Sequence, residues 1–189
     1  VLVGHNALRE SVMGKSEGLA SDLQLKKMKS VLNDALEIGA FGLSVGLEFA
    51  PGRGADENEL LELHKCVHNY NRIAAWHVRN RDRYFEEAVA EAISIAKKSD
   101  VPLQISHLTA KPGSSPRAWN RVIEKMELAR TEGVDVTADM VTDQIGIGRI
   151  YAILPHWVFN KGMGEAVKLL KDKKIREKLK TQCDRYWYI

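Results

Sequence analysis

The chain has 189 residues, of which 44% are hydrophobic, and 28 Lys and Arg against 25 Asp and Glu give a net charge of +3. This composition is typical of a globular protein and excludes a disordered chain, a collagen-like chain and a disulfide scaffold. The two cysteines, Cys66 and Cys183, are 117 positions apart. They form no paired zinc motif, so we expect a reducing, cytoplasmic location. No apolar run reaches the ~18 residues of a membrane span, and we expect no membrane partner.

The excess positive charge lies at one end of the chain. Residues 161–189 hold nine Lys or Arg and four Asp or Glu, a net charge of +5. Apolar residues recur at near-helical spacing over 164–180, which predicts an amphipathic helix whose lysines face solvent. No aromatic residues interleave these lysines and no groove-entering motif accompanies them, so we expect no nucleic-acid partner.

Short apolar, β-branched segments alternate along the chain with longer segments of helical period. Strands are predicted over residues 1–4, 41–49, 73–78, 102–107 and 134–141. Helices are predicted over residues 21–38, 56–70, 84–97 and 116–131. Gly39 is placed to end the first helix, and Asp56 with Glu59 predicts a capping box at the start of the second. Such alternation predicts an α/β fold with a parallel sheet.

The alternation alone does not distinguish an open doubly wound sheet from a (β/α)8 barrel. The chain has no GxGxxG and no GxxxxGK[ST] motif, so the commonest reasons for an open nucleotide-binding sheet are absent. Two predicted strands end on a histidine, His77 and His107, thirty positions apart. Either histidine alone is explained by a hydrogen bond at a strand end. In a barrel both would lie at the active-site mouth, where two imidazoles can share a zinc ion.

Five segments, taken together and in this order, resemble the D-aminoacylase branch of the amidohydrolase superfamily. They are GHNALRESVMG (4–14), GAFGLSVGLEFAPG (39–52), AAWHVRN (74–80), PLQISHLTA (102–110) and VDVTADM (134–140), and the likeness continues through LPHWVFNKGMGEAVKLLKD. The resemblance implies a metal-dependent (β/α)8 barrel that hydrolyses N-acyl-D-amino acids. It further implies that residues 1–189 are a central barrel fragment, roughly strands three to seven, with the first two strands and the last strand missing.

The resemblance makes His77 and His107 metal ligands at the ends of the fifth and sixth barrel strands, and it implies one or two zinc ions in the full-length enzyme. Glu48 is a further candidate ligand, since related amidohydrolases place a bridging carboxylate near this position. In the D-aminoacylase branch the bridge is usually a cysteine from an earlier strand, and Glu48 is otherwise a polar residue at a loop entrance. No HxH motif occurs in the chain, and the catalytic aspartate is expected downstream, so we expect this fragment alone to be inactive.

On the substrate side the chain departs from the family pattern. The family has a lysine where Thr109 stands, and Lys111 is the nearby cation that can reach in from the loop. The family motif DxYPY appears as DMVTD, from Asp139 to Asp143. Arg79 is a candidate anion partner, with a surface ion pair as the alternative. We therefore expect a small-molecule amide substrate that need not be an acylated D-amino acid.

Two other hypotheses remain open. The lost lysine and tyrosines favour a non-catalytic barrel relative that serves as a scaffold or binding module. Alternatively, an unrelated α/β domain uses its basic helix to bind an acidic partner. A partial barrel would also expose strand edges and apolar helix faces, and self-association through these edges is then expected.

Overall fold

The computed structural model describes residues 1–14, 16–111, 113–142, 154, 156–159 and 163–180. The chain forms two compact units, Val1–Val141 and Thr142–Ile189, which are described separately. Asp143 and Cys183 lie outside the described part of the chain. No helix in the described residues is long and apolar enough to cross a membrane.

The described residues of the first unit form a five-stranded sheet and five α-helices. The strands are β1 Leu2–Gly4, β2 Gly42–Gly46, β3 Ile73–His77, β4 Leu103–Ile105 and β5 Val136–Ala138. The helices are α1 His5–Met13, α2 Asp22–Glu37, α3 Glu57–Asn69, α4 Phe85–Ser99 and α5 Ala118–Thr131. All five predicted strands and the four helices predicted over this region are confirmed, although the strands are shorter than predicted.

The strands are all parallel and lie in chain order, β1-β2-β3-β4-β5. A doubly wound sheet reverses its strand order at a switch point, whereas a barrel adds each strand beside the preceding one. Right-handed crossovers that always advance in one direction place every helix on the same face of the sheet. The topology is therefore that of consecutive βα units of a barrel wall, and the predicted α/β class is confirmed.

Alternation along the strands determines which residues pack against the helices. Leu43, Val45, Ala74, Trp76 and Ile105 are buried in one core cluster with apolar residues of the helices. The residues between them point to the opposite face, because successive side chains of a strand alternate. His77 follows Trp76 and therefore lies on the face away from the helices.

The capping box predicted at the start of α3 is only half formed. Asp56 Oδ1 accepts a hydrogen bond from the Glu59 backbone N–H at 2.8 Å. The Glu59 side chain does not return to the cap, because it is buried against two other residues. It accepts hydrogen bonds from His5 at 2.7 Å and Arg9 at 2.5 Å.

In the second unit, the single helix predicted over 164–180 is two helices, α6 Met163–Lys171 and α7 Lys173–Lys180. Asp172 separates them, and its side chain accepts from the Lys174 backbone N–H at 2.7 Å. Arg176 donates to the carbonyls of Leu170 and Lys171 at 3.0 and 2.8 Å. These two polar groups satisfy the backbone at the break and stabilise it. The described lysines of both helices are exposed, as predicted.

Candidate metal centre

His77 and His107 lie side by side at the carboxyl edge of the sheet. His77 is the last residue of β3, and His107 follows β4 by two positions. His77 Nδ1 is 2.8 Å from His107 Nε2, and the two rings meet edge to face with centroids 4.5 Å apart. The sequence argument that parallel strands bring these two histidines together therefore agrees with the geometry.

Glu48 contacts His77 from the other side of its ring. Glu48 follows β2, and its Oε2 is 2.5 Å from His77 Nε2. Burial raises the pKa of this carboxyl, but hydrogen bonds from His77 and Lys111 outweigh the burial and lower the pKa to about 2. An ionised carboxylate only accepts hydrogen bonds, so His77 Nε2 carries the proton of this contact.

Two cations complete the cluster around Glu48. Lys111 Nζ donates to Glu48 Oε1 at 2.9 Å, and Arg81 Nη2 is 3.7 Å from Glu48 Oε2. Arg81 also reaches His107, with Nη1 3.1 Å from the ring Nδ1 and 3.3 Å from the backbone oxygen. Burial lowers the pKa of His107, and the neighbouring Arg81 and His77 lower it further.

Asp139 fixes the loop that carries His107. Its Oδ1 accepts from the His107 backbone N–H at 2.6 Å, and its Oδ2 accepts from Gln104 Nε2 at 2.9 Å. Its backbone oxygen accepts from the Leu108 N–H at 2.7 Å. His107 has a positive φ of 41°, a left-handed conformation that is uncommon outside glycine. The Asp139 contacts hold this conformation, which is one reason that the ring faces His77.

The candidate substrate residues lie in different surroundings. Thr109 Oγ1 is buried and has no hydrogen-bond partner among the described residues. Arg79 pairs with Glu91 at 2.8 Å and donates to the carbonyls of Arg53 and Ala55 at 2.6 and 3.1 Å. The structure thus brings Lys111 to Glu48, which contacts His77. The Arg79 guanidinium instead binds the segment after β2 and Glu91 of α4.

The donor set suits zinc in chemistry but is incomplete in geometry. The two facing imidazole nitrogens are 2.8 Å apart, a hydrogen-bond distance, whereas two nitrogens that bind one zinc ion lie about 3.3 Å apart. Glu48 approaches the opposite nitrogen of His77. That position is typical of a carboxylate that orients a ligand histidine. Among the described residues, no three His, Cys, Asp or Glu side chains are arranged so that they could hold a metal ion together.

Sequence reasoning missed Arg81 and Asp139. Asp139 lies near the end of the strand predicted over 134–141, as His77 and His107 lie near the ends of theirs, so its position was a usable signal. Arg81 lies in a loop with no periodicity, and nothing in the sequence indicates that its side chain turns towards His107.

Known proteins resemble this chain over about three quarters of its length. No protein-family model matches it. It is 31% identical over 142 residues to an N-acyl-D-glutamate deacylase of Alcaligenes xylosoxydans xylosoxydans, which covers 74% of this chain and 28% of the relative. It is also 31% identical over 106 residues to a D-aminoacylase of the same organism, covering 56% and 22%.

Solved structures agree with these relatives. One match is an N-acyl-D-glutamate deacylase from Bordetella bronchiseptica, complexed with zinc and a phosphonate mimic of the tetrahedral intermediate. Its TM-score is 0.68 and its sequence identity is 30%, over 74% of this chain and 29% of that chain. A D-aminoacylase described as defining a subset of amidohydrolases matches with a TM-score of 0.67 and 28% identity, with the same coverage. The chain thus spans less than a third of the length of these relatives. The predicted resemblance and the partial-barrel fold class are confirmed.

Proposed function

We propose that this chain, a homologue of the N-acyl-D-amino-acid deacylases of the amidohydrolase superfamily, is the central part of a zinc-dependent barrel that hydrolyses the amide bond of an N-acylated small molecule. The proposed region comprises barrel strands three to seven. N-acyl-D-amino acids are the first substrate class to test. The observation that carries the proposal is the pair of strand-end histidines, whose ring nitrogens face each other at 2.8 Å.

In the proposed centre His77 and His107 hold zinc through the ring nitrogens that face each other. Bound zinc would polarise the amide carbonyl and lower the pKa of its water towards 7. Glu48, on the far nitrogen of His77, fixes the orientation and tautomer of that ring. The remaining zinc ligands and the proton-transferring carboxylate come from barrel strands outside β1–β5.

On the substrate side we propose that Thr109 and Lys111 face the bound amide. Thr109 Oγ1 is buried without a described partner, so a substrate group that bonds to it costs no existing hydrogen bond. Lys111 supplies a positive charge beside the histidines, although it is shared with Glu48. Arg79 is already held by Glu91 and two backbone carbonyls, and we propose that it stabilises the segment around residues 53–55.

The first experiment measures zinc content and hydrolysis with the purified 189-residue protein. We expect substoichiometric zinc that falls further in His77→Ala and His107→Ala, because two ligands bind weakly. His68→Ala is the matched control, since His68 is exposed and bonds to the Asp100 carbonyl. Zinc that is unchanged in both site variants would overturn the proposed centre.

The same protein is then incubated with N-acetyl-D-glutamate, N-acetyl-D-aspartate and N-acetyl-D-methionine, and the released amino acid is measured. We expect no turnover, because the chain contains no HxH motif and the described residues supply no third converging ligand. Turnover would show that the chain carries a complete site, and that part of the proposal would then be wrong.

A second candidate function is a non-catalytic barrel relative. The favouring observation is that Arg81, His107, His77 and Glu48 already form a continuous chain of hydrogen bonds that needs no metal. A complete coding sequence without HxH and without a strand-end aspartate would decide for this candidate. The proposed cytoplasmic location is tested separately by subcellular fractionation.

A further inference from the structure

Arg81 contacts His107 in a way that fixes where the imidazole proton lies. A guanidinium donates hydrogen bonds and accepts none. The 3.1 Å contact between Arg81 Nη1 and His107 Nδ1 therefore requires a lone pair on Nδ1. The ring proton of His107 is then on Nε2, the nitrogen that lies 2.8 Å from His77 Nδ1.

The two histidines consequently differ in their readiness for a metal ion. A histidine that binds zinc through one nitrogen carries a proton on the other and donates it to an acceptor. His77 meets this condition, because its Nε2–H donates to the Glu48 carboxylate and its Nδ1 keeps a lone pair, which accepts from His107 Nε2–H. His107 does not meet it, because a proton on Nδ1 would face the N–H groups of Arg81.

We propose that Arg81 is a determinant of metal affinity at this centre: it holds His107 in the tautomer whose Nε2 cannot bind a metal, and binding requires Arg81 to release Nδ1. The proposal rests on the proposed zinc function of His77 and His107. It concerns the strength of binding, since the guanidinium acts on the ion only through the His107 ring.

The surroundings of Arg81 permit such a release. Its Nε is buried and makes no hydrogen bond with any described residue. Its contact with Glu48 is a 3.7 Å ion pair and its contact with the His107 carbonyl is 3.3 Å, both longer than a strong hydrogen bond. The guanidinium is therefore held chiefly by the ring nitrogen and the carbonyl of His107, and breaking these contacts is the cost that lowers metal affinity.

The test compares zinc and Co²⁺ dissociation constants of the 189-residue protein by chelator competition. Arg81→Gln replaces the guanidinium with an amide whose oxygen can accept from Nδ1–H, and Arg81→Met removes all donors. We expect tighter zinc binding by about 10- to 100-fold in Arg81→Gln, the range in which groups around metal ligands act. Arg81→Lys keeps a cation and should stay close to the wild type.

Arg83→Gln is the matched control. Arg83 is an exposed arginine two positions away that lies over the Tyr84 ring. Each variant is first compared with the wild type by circular dichroism and thermal unfolding. Equal affinity in the wild type and Arg81→Gln, with loss in His107→Ala, overturns the role of Arg81 and leaves the proposed zinc centre intact. Absence of zinc from both proteins overturns the role of Arg81 at this centre.

A second measurement reports the tautomer of His107 directly. Two-bond ¹H–¹⁵N spectra of the metal-free wild type report the tautomer of each histidine. We expect His107 to carry its proton on Nε2, and we expect the population with the proton on Nδ1 to rise in Arg81→Gln. A wild-type His107 with its proton on Nδ1 contradicts the proposal, whatever the zinc affinities are.

Discussion

His64 makes the first unit less stable as the pH falls below 6.5. It lies on α3, is fully buried, and is hydrogen-bonded at both ring nitrogens. Nδ1–H donates to the Leu60 carbonyl at 2.7 Å, and Nε2 accepts from the Trp76 indole N–H at 2.9 Å. Burial lowers the pKa of His64 from 6.5 to about 4; the Leu60 carbonyl opposes this shift and the neighbouring His5 adds to it.

The sign follows from proton binding in the two states. Above pH 6.5 His64 is neutral both folded and unfolded, so it contributes no pH dependence there. Between pH 6.5 and 4 the His64 imidazole binds a proton in the unfolded chain but stays mostly neutral in the folded protein. The free energy of unfolding therefore falls as the pH falls. One pKa unit corresponds to about 1.4 kcal/mol, which gives a loss of about 2 kcal/mol at pH 5 and about 3 kcal/mol at pH 4.

Urea unfolding followed by circular dichroism at pH 7, 6, 5 and 4.5 measures this loss. His64→Gln removes the titration while its amide can still donate and accept. We expect this variant to be less stable at pH 7 and to have a flatter dependence on pH than the wild type. His68→Gln, which alters an exposed histidine of the same helix, should keep the wild-type slope. A His64→Gln slope equal to that of the wild type would refute the reasoning.

Three further predictions concern the same unit. Glu59→Gln leaves Arg9 and His5 buried without their carboxylate and should cost about 3 kcal/mol at pH 7, measured by urea unfolding; a cost below 1 kcal/mol would contradict the importance of this pair. Asp56→Ala removes the cap of α3 and should cost about 1 kcal/mol in the same assay, whereas Glu57→Gln, next to it and exposed, should cost less. In the described residues β1 and β5 pair on one side only, so light scattering should show self-association that grows with concentration; a monomer at all concentrations would contradict it.

Sequence reasoning succeeded where the physics is local or periodic. The apolar periods located the strands and four of the helices, because each element buries one face. His77 and His107 were found because the carboxyl ends of parallel strands meet at one edge. α1 was missed because it is nine residues long, begins directly after β1, and has Gly4 at its cap with no side-chain hydrogen bond.

The remaining features depend on contacts between residues far apart in the chain. Glu59 was predicted to cap its own helix, but Arg9, fifty positions earlier, binds its carboxylate. A local motif cannot report this competition, because both arrangements satisfy the same spacing. The role of Glu48 is similar: its position near the histidines could be predicted, whereas the nitrogen of His77 that it contacts is set by how β2 and β3 pack.

His77 and His107 differ in which ring nitrogen carries the proton, and this difference helps to distinguish a zinc hydrolase from a non-catalytic scaffold. A scaffold needs only a stable cluster, and the chain of hydrogen bonds from Arg81 through both rings to Glu48 is sufficient for that. A hydrolase needs that chain opened at His107, because both rings must present a lone pair to the same ion. Glu48 leaves a lone pair on His77 Nδ1, as metal binding requires, whereas in a scaffold the same contact only stabilises the cluster. The zinc affinity of Arg81→Gln therefore separates the functions: a site built for metal tightens when the guanidinium is removed, whereas a cluster that never binds metal loses only a hydrogen bond.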